Sequence, residues 1–286
     1  MEKRPSPGED AMSAETLPAG GAGPTLSDAQ VAEYQREGFL VLRGLFSPEV
    51  VAPWRDRFGA IVEGSAEPAE GMLVMRDVMV AKGAVAPASR AAAIAKIQDF
   101  HNDPVLFDGY VRNERLLDLV GAFTGPDVKS IHTMLINKPP GVDGRHPLHQ
   151  DMLYFPFSPA DAVVGSSTAL ERCTRENGCL VVVPRSHANG LLPHENPEWE
   201  WLNLGYFGAK DADRSHRVHV EMEPGDTILF HPYLLHGSGR NRTDGFRRMI
   251  LAHFASARCR YDPGSHPLAG RRPYTLVRGR SHEGCI

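Results

Sequence analysis

"RHPLHQDMLYFPF", residues 145–157, carries His149 and Asp151 two positions apart, just ahead of an aromatic run. Along a strand, residues i and i+2 share a face, so both side chains can point into the interior of a barrel. Joined by one distant histidine they make a two-histidine, one-carboxylate triad, which leaves adjacent coordination positions open and suits non-haem Fe(II). Two neutral imidazoles and one carboxylate leave a divalent ion with net positive charge, so an anionic chelating cosubstrate can join it. The alternative reading is a hydrogen-bonded turn after Pro147. His101 and Asp103 repeat the spacing, but in an expected helical context before Pro104, where i and i+2 diverge.

A third ligand has two candidates in "FHPYLLHGSGRNRTDGFRR", residues 230–248. His231 precedes Pro232, which ends a strand. His236 closes a short apolar stretch, and periodicity favours it without excluding His231. If the loop turns about Asn241 and Arg242, positions 236 and 247 face each other across a hairpin. Arg247 would then stand beside the metal, where a guanidinium can clamp the far carboxylate of a keto acid with two parallel hydrogen bonds. The alternative is a surface arginine in a basic loop with Arg240, Arg242 and Arg248.

Gly and Pro number 28 and 23 of 286 residues, which predicts many turns and short elements. The net charge of −4 excludes the strongly basic footprint of a nucleic-acid binder. Cys173, Cys179, Cys259 and Cys285 show no CxxC spacing and read as reduced thiols of a cytoplasmic protein. No apolar run approaches the ~18 residues of a membrane span, and the start, "MEKRPSPGED", has no signal-peptide core.

Residues 1–27 read as a disordered tail and 28–286 as one domain. Within that domain a helical buttress is expected over about 28–125 and a β core over about 130–260. Ser27 caps a helix ending near Gly38, "FLVLRGLF" reads as a strand, and Ser47 with Pro48 opens a second helix. Residues 88–123 look helical from the spacing of Ile94, Ile97 and Phe100 and again of Leu116, Leu117, Val120 and Phe123. Later come short β segments: "SIHTMLINK", "AVVGSSTALERC", "GCLVVVP", "HRVHVEMEPGDTILF", "YLLHGSG" and "RRMILAHFASA". Helices first and many short strands later predict a mainly β protein with a jelly-roll core.

The ordered segments "MRDV", "KIQDF", "FTGP", "HTMLINKPP", "RHPLHQD", "YFPF", "NGCLVV", "HGSG" and "HFASA" resemble those of the phytanoyl-CoA dioxygenase family. The resemblance runs over about residues 73–261, and "GFLVL" near the start fits it too. It implies a double-stranded β-helix of the cupin-like kind, using Fe(II), 2-oxoglutarate and dioxygen, with ascorbate as reductant. It carries the iron ligands to His149, Asp151 and His236, and the 2-oxoglutarate contacts to Lys96, Met134, Ser238 and Arg247. Arg248, one residue on, is expected on the opposite face of its strand. The substrate pocket is expected at Gln150, Tyr154 and Ser167, where Ser167 stands in place of a family tryptophan.

The implied reaction is hydroxylation of an aliphatic small molecule, a branched-chain acyl-CoA such as phytanoyl-CoA at C2, releasing succinate and CO2. A related enzyme reading is hydroxylation of a free biosynthetic intermediate. Asp151 argues against halogenation, which needs a small residue there. A reading of another class, a non-catalytic jelly-roll binding protein, leaves a complete triad and a matching arginine without purpose. His132, His146, His187, His219, His231 and His253 read as core or turn residues.

Overall fold

The computed structural model describes residues 25–201, 206–261 and 274–286; the expected tail, except its last three residues, lies outside them. Leu26 packs against the main core, and Ser27 caps α1 (Asp28–Glu37) through a capping box with Gln30. The helix stops at Gly38, which takes φ 83°, a left-handed conformation that glycine adopts without a side-chain penalty. α2 (Pro48–Glu63) follows Ser47 with Pro48 at its start, and buries Val51, Trp54, Phe58, Ile61 and Val62.

Two antiparallel sheets form the barrel. The larger runs β1 (Phe39–Leu42), β12 (Thr227–Phe230), β7 (Val163–Ala169), β14 (Arg247–Ser256), β4 (Val128–Lys138), β3 (Ile94–Gln98), β2 (Leu73–Arg76), with β16 (Thr275–Arg278) also on β4. The smaller runs β11 (Val218–Val220), β8 (Leu180–Val182), β13 (His236–Ser238), β5 (His146–His149). Two short pairs, β6 (Phe157–Ser158) with β15 (Arg260–Tyr261) and β9 (His194–Glu195) with β10 (Gly208–Ala209), trim the rims. The fold is a mainly β jelly roll with few helices. The N-terminal part is more than a buttress, because β1, β2 and β3 complete the larger sheet.

Of the helix expected over residues 88–123, only the end forms, where Leu116, Leu117 and Val120 are buried. A short turn (Ala91–Ala93) leads into β3, a wide turn (Pro104–Val111) follows, and the one regular helix of the segment is α3 (Glu114–Thr124). The cause is a bulge. Met75 pairs with Lys96 and Arg76 with Ile94, so Ala95 is an extra residue. A bulge turns the residues before it, and Ile94 and Ile97 both reach the helix-side core. Their spacing of three imitates a helical stripe. Asp103 belongs to the turn, where it caps the Val105 and Leu106 amides and pairs with Arg57.

The expected hairpin joining positions 236 and 247 is also absent. His236 pairs with His149 and Val182 in the smaller sheet, whereas Arg247 pairs with Lys138 in the larger one. The connection between them crosses from one sheet to the other. Alternation then sorts β14. Met249 packs in the barrel interior against Phe230, and Ile250 and Ala252 pack toward the helices.

Candidate active site

β5 ends at His149, but Gln150 remains extended at φ −123°, ψ 128°. Asp151 therefore emerges on the side of His149, although it already begins a tight turn (Asp151–Leu153). β13 runs antiparallel beside β5 and sets His236 opposite His149. Asp151 Oδ1 lies 3.3 Å from His149 Nε2, and Oδ2 lies 3.6 Å from His236 Nε2. The three are buried, and their ligand atoms all fall within 4.8 Å of one another.

Both imidazoles are held in one tautomer. His149 Nδ1 is 2.9 Å from the Pro147 carbonyl, and His236 Nδ1 is 3.0 Å from that of Leu234. A carbonyl accepts only, so each Nδ1 carries the proton and each Nε2 lone pair faces the carboxylate. Such contacts to backbone carbonyls fix the ring orientation that metal-binding histidines need. His253 Nε2 donates to Asp151 Oδ2 at 2.7 Å. Burial and the neighbouring His149 push His236 down to about 4, although Asp151 pulls the other way. Burial would raise the Asp151 carboxyl, but the histidines that face it, with the hydrogen bond from His253, hold it well below the usual range. Two neutral imidazoles and one carboxylate fit a divalent first-row cation.

Beside these side chains lies a cavity of about 160 Å³. Lys96 and Met134 enter it from β3 and β4, and Ile131, Tyr154 and Phe155 line it too. Lys96 Nζ sits 4.7 Å from the ring centroid of Tyr206, and burial pushes its pKa down to about 8. Burial and Asp151 push the Tyr154 phenol up to about 12. A smaller void of about 30 Å³ touches Lys138 and Ser238, sharing His146 and Tyr206 with the first. Arg247 is buried and lines neither. Its Nη2 donates to the Gly178 carbonyl at 2.8 Å, and its Nε has no hydrogen-bond partner among the described residues. Arg248 faces the other way, donating to Asn137 and lying over Phe58 and Phe246.

Two other expected residues stand apart from the cavity. Gln150 is fully buried and locked, donating to the Gly190 and Tyr233 carbonyls and accepting from the Leu192 amide. Ser167 sits on β7, its Oγ 3.9 Å from Met249 Sδ. His231, the rival third ligand, pairs instead with Asp161 at 3.1 Å. Three histidines read from sequence as structural do reach the site, and His132 lines the cavity wall. His253 holds Asp151, and His146 stacks on His149 with centroids 4.3 Å apart. The signal for His253 was the even spacing from Arg247 along one strand face.

A family model described as phytanoyl-CoA dioxygenase matches residues 34–249. The chain belongs to the phytanoyl-CoA dioxygenase family. It is 47% identical over 248 residues to a probable phytanoyl-CoA dioxygenase of Caenorhabditis elegans, covering 84% of this chain and 78% of that protein. It is 46% identical over 233 residues to the peroxisomal phytanoyl-CoA dioxygenase of Homo sapiens, covering 80% and 68%. Among solved structures, EctD from S. alaskensis in its apoform superposes with a TM-score of 0.65 at 22% identity, covering 90% of this chain and 85% of the other. The epimerase SnoN in complex with Fe3+, alpha ketoglutarate and nogalamycin RO gives 0.62 at 19%, covering 90% and 96%. At those identities the likeness concerns the fold. Family membership makes the chain a 2-oxoglutarate-dependent non-haem iron dioxygenase. No described helix is long and apolar enough to cross a membrane.

Proposed function

We propose that this dioxygenase hydroxylates a branched-chain acyl-CoA, phytanoyl-CoA or a close analogue, at C2. The observation that carries the assignment of the centre is the buried His149, Asp151 and His236 cluster with both Nε2 atoms bare. The family name and the identity to phytanoyl-CoA dioxygenases support the substrate class. In this reading those three residues hold Fe(II), which couples dioxygen and decarboxylation of 2-oxoglutarate to hydroxylation of the substrate. His253 fixes the Asp151 carboxylate. Arg247 and Ser238 hold the distal carboxylate of 2-oxoglutarate, and Met134 and Lys96 close the space around it. Ile131 and Phe155 keep water from the carbon that reacts, and Tyr154 stands on the substrate side. Ascorbate is the proposed reductant. The proposed compartment is the cytoplasm, where four unpaired cysteines are at home; the mammalian relatives are named peroxisomal, and cell fractionation decides between the two.

The test is substrate-dependent succinate release with Fe(II), 2-oxoglutarate and ascorbate, comparing branched acyl-CoAs with the free acids. Release with the CoA esters is expected. Release with free acids alone moves the assignment to a small-molecule hydroxylase. No stimulation by either, from iron-loaded protein, sinks the proposed substrate class.

A further inference from the structure

The interior of the barrel holds a second buried cation at the Arg247 end that no role described so far uses. Lys138 closes β4 directly opposite Arg247 on β14, and both are 3% exposed. Like charges facing each other across a strand pair are destabilising, and a buried charge is costly unless it is paired. Yet among the described residues neither side chain lies within ion-pair distance of a carboxylate. Of the nearby acids, Asp77 borders the same void and accepts from the Met79 amide, and Asp143 is already taken by Arg145 and Arg240, whose Nε atoms lie at 2.6 and 2.8 Å.

Lys138 spends its three protons on neutral acceptors: the Gly144 carbonyl at 2.6 Å, Ser238 Oγ at 2.9 Å and the Gly239 carbonyl at 2.5 Å. Burial and Arg247 hold its pKa well below that of an ordinary lysine. Arg247, with its Nε unpaired, packs against the same Gly178 that the Lys138 side chain covers. Ser238 follows the ligand His236 by two residues on β13. The lysine, the serine and the arginine thus converge on one interior corner, and the lysine and serine border the small void beside the cavity.

We propose that Lys138 is a second cationic anchor for the distal carboxylate of the cosubstrate, acting with Arg247 and through Ser238. The two cations are tolerated because a carboxylate completes the cluster. Selection for a dicarboxylic 2-oxo acid over a monocarboxylic one then rests on two charges. This deepens the assignment of Arg247 and Ser238 made above and rests on it.

The rival is a structural clip, in which Lys138 merely ties the segments at Gly144 and Gly239. Lys138→Gln keeps an amide donor for those carbonyls and removes the charge. Binding is measured by titration calorimetry on Mn(II)-loaded protein, with 2-oxoglutarate and with 2-oxopentanoate, which lacks the distal carboxylate. Removing the charge that backs the Ser238 hydroxyl should weaken 2-oxoglutarate about 10- to 100-fold and leave 2-oxopentanoate within about threefold. A change of less than about threefold for 2-oxoglutarate, or a parallel loss for both acids, overturns the inference.

The unaltered protein gives a reading that needs no variant. Two cations should make 2-oxoglutarate bind at least about 100-fold more tightly than 2-oxopentanoate, and a preference below about tenfold overturns the inference. If the unaltered protein binds no 2-oxoglutarate, the assignment of Arg247 and Ser238 fails and takes this inference with it. If it binds and Lys138→Gln binds equally well, the inference alone fails.

Discussion

Replacing Lys96 with methionine should make the protein more stable and a worse enzyme. Lys96 is 8% exposed and sits on β3 facing the cavity. Among the described residues no carboxylate lies within ion-pair distance of it, and its close polar neighbour is the Tyr206 ring. Burial lowers its pKa from 10.5 to about 8. At 1.36 kcal/mol per pH unit, carrying the charged form costs the folded state about 3 kcal/mol at neutral pH. Losing the contact to Tyr206 returns about 1 kcal/mol. The balance, about 2 kcal/mol, corresponds to a rise in Tm of roughly 4–8 °C.

The sign with pH follows from the depressed value. Below about pH 8 both folded and unfolded lysines are charged, and the penalty is full. Between about 8 and 10.5 the folded lysine has lost its proton while the unfolded one keeps it, so the penalty shrinks. Above 10.5 both are neutral and the advantage of Lys96→Met vanishes. Chemical denaturation of both proteins at pH 7, 9 and 10.5 follows this directly. A variant no more stable than the parent at pH 7, or an advantage that persists at pH 10.5, refutes the view of Lys96 as a buried cation awaiting an anionic ligand.

Asp151→Ala should lose most bound iron after dialysis, because one of three protein ligands is gone, whereas His101→Ala should retain it; iron content by atomic absorption checks both. Arg247→Ala should weaken 2-oxoglutarate binding about 10- to 150-fold. Arg248→Ala should leave that binding within about threefold and instead lower Tm, since it loses Asn137 and its packing on Phe58 and Phe246. His253→Leu removes the hydrogen bond that fixes Asp151 and should weaken metal binding about 10- to 100-fold, read by competition with a chelating dye.

What sequence reveals here follows the period of the elements. The caps at Ser27 and Gly38 are local chemistry, and they stand where the residues put them. The pair His149 and Asp151 is legible because an extended Gln150 preserves the two-residue period beyond the end of β5. Ile94 and Ile97 mislead because a bulge at Ala95 changes the period inside a five-residue strand. The geometry around Arg247 was illegible for a different reason. A loop of eight residues between two strands suggests a hairpin, yet in a jelly roll successive strands alternate between sheets. The partner of Arg247 is Lys138, more than a hundred residues away. No local rule yields that pair. His253 lay within reach, because the residues inward along β14 are 247, 249, 251 and 253, and one of them is a histidine at the depth of Asp151.

The serine at position 167 gains its meaning from that same row. Strand pairing sets Ser167 beside Leu251 and Ile228, and its hydroxyl comes within 3.9 Å of Met249 Sδ. A tryptophan there would bring roughly 150–250 Å² of surface into space that Met249 and Leu251 already fill. Interiors are close-packed, so the exchange of a large ring for a hydroxyl cannot stand alone. The flexible methionine opposite is the kind of side chain that takes up such slack. The difference therefore falls on the floor between the two ends of the barrel interior, away from the cavity walls at Ile131, Met134 and Phe155. In the proposed site, a cosubstrate held at one end by a metal and at the other by Arg247 and Lys138 would depend on its anchors more than on the floor beneath it. Ser167 is thus weak ground for a different substrate, and the acyl-CoA assignment does not need a tryptophan at that position.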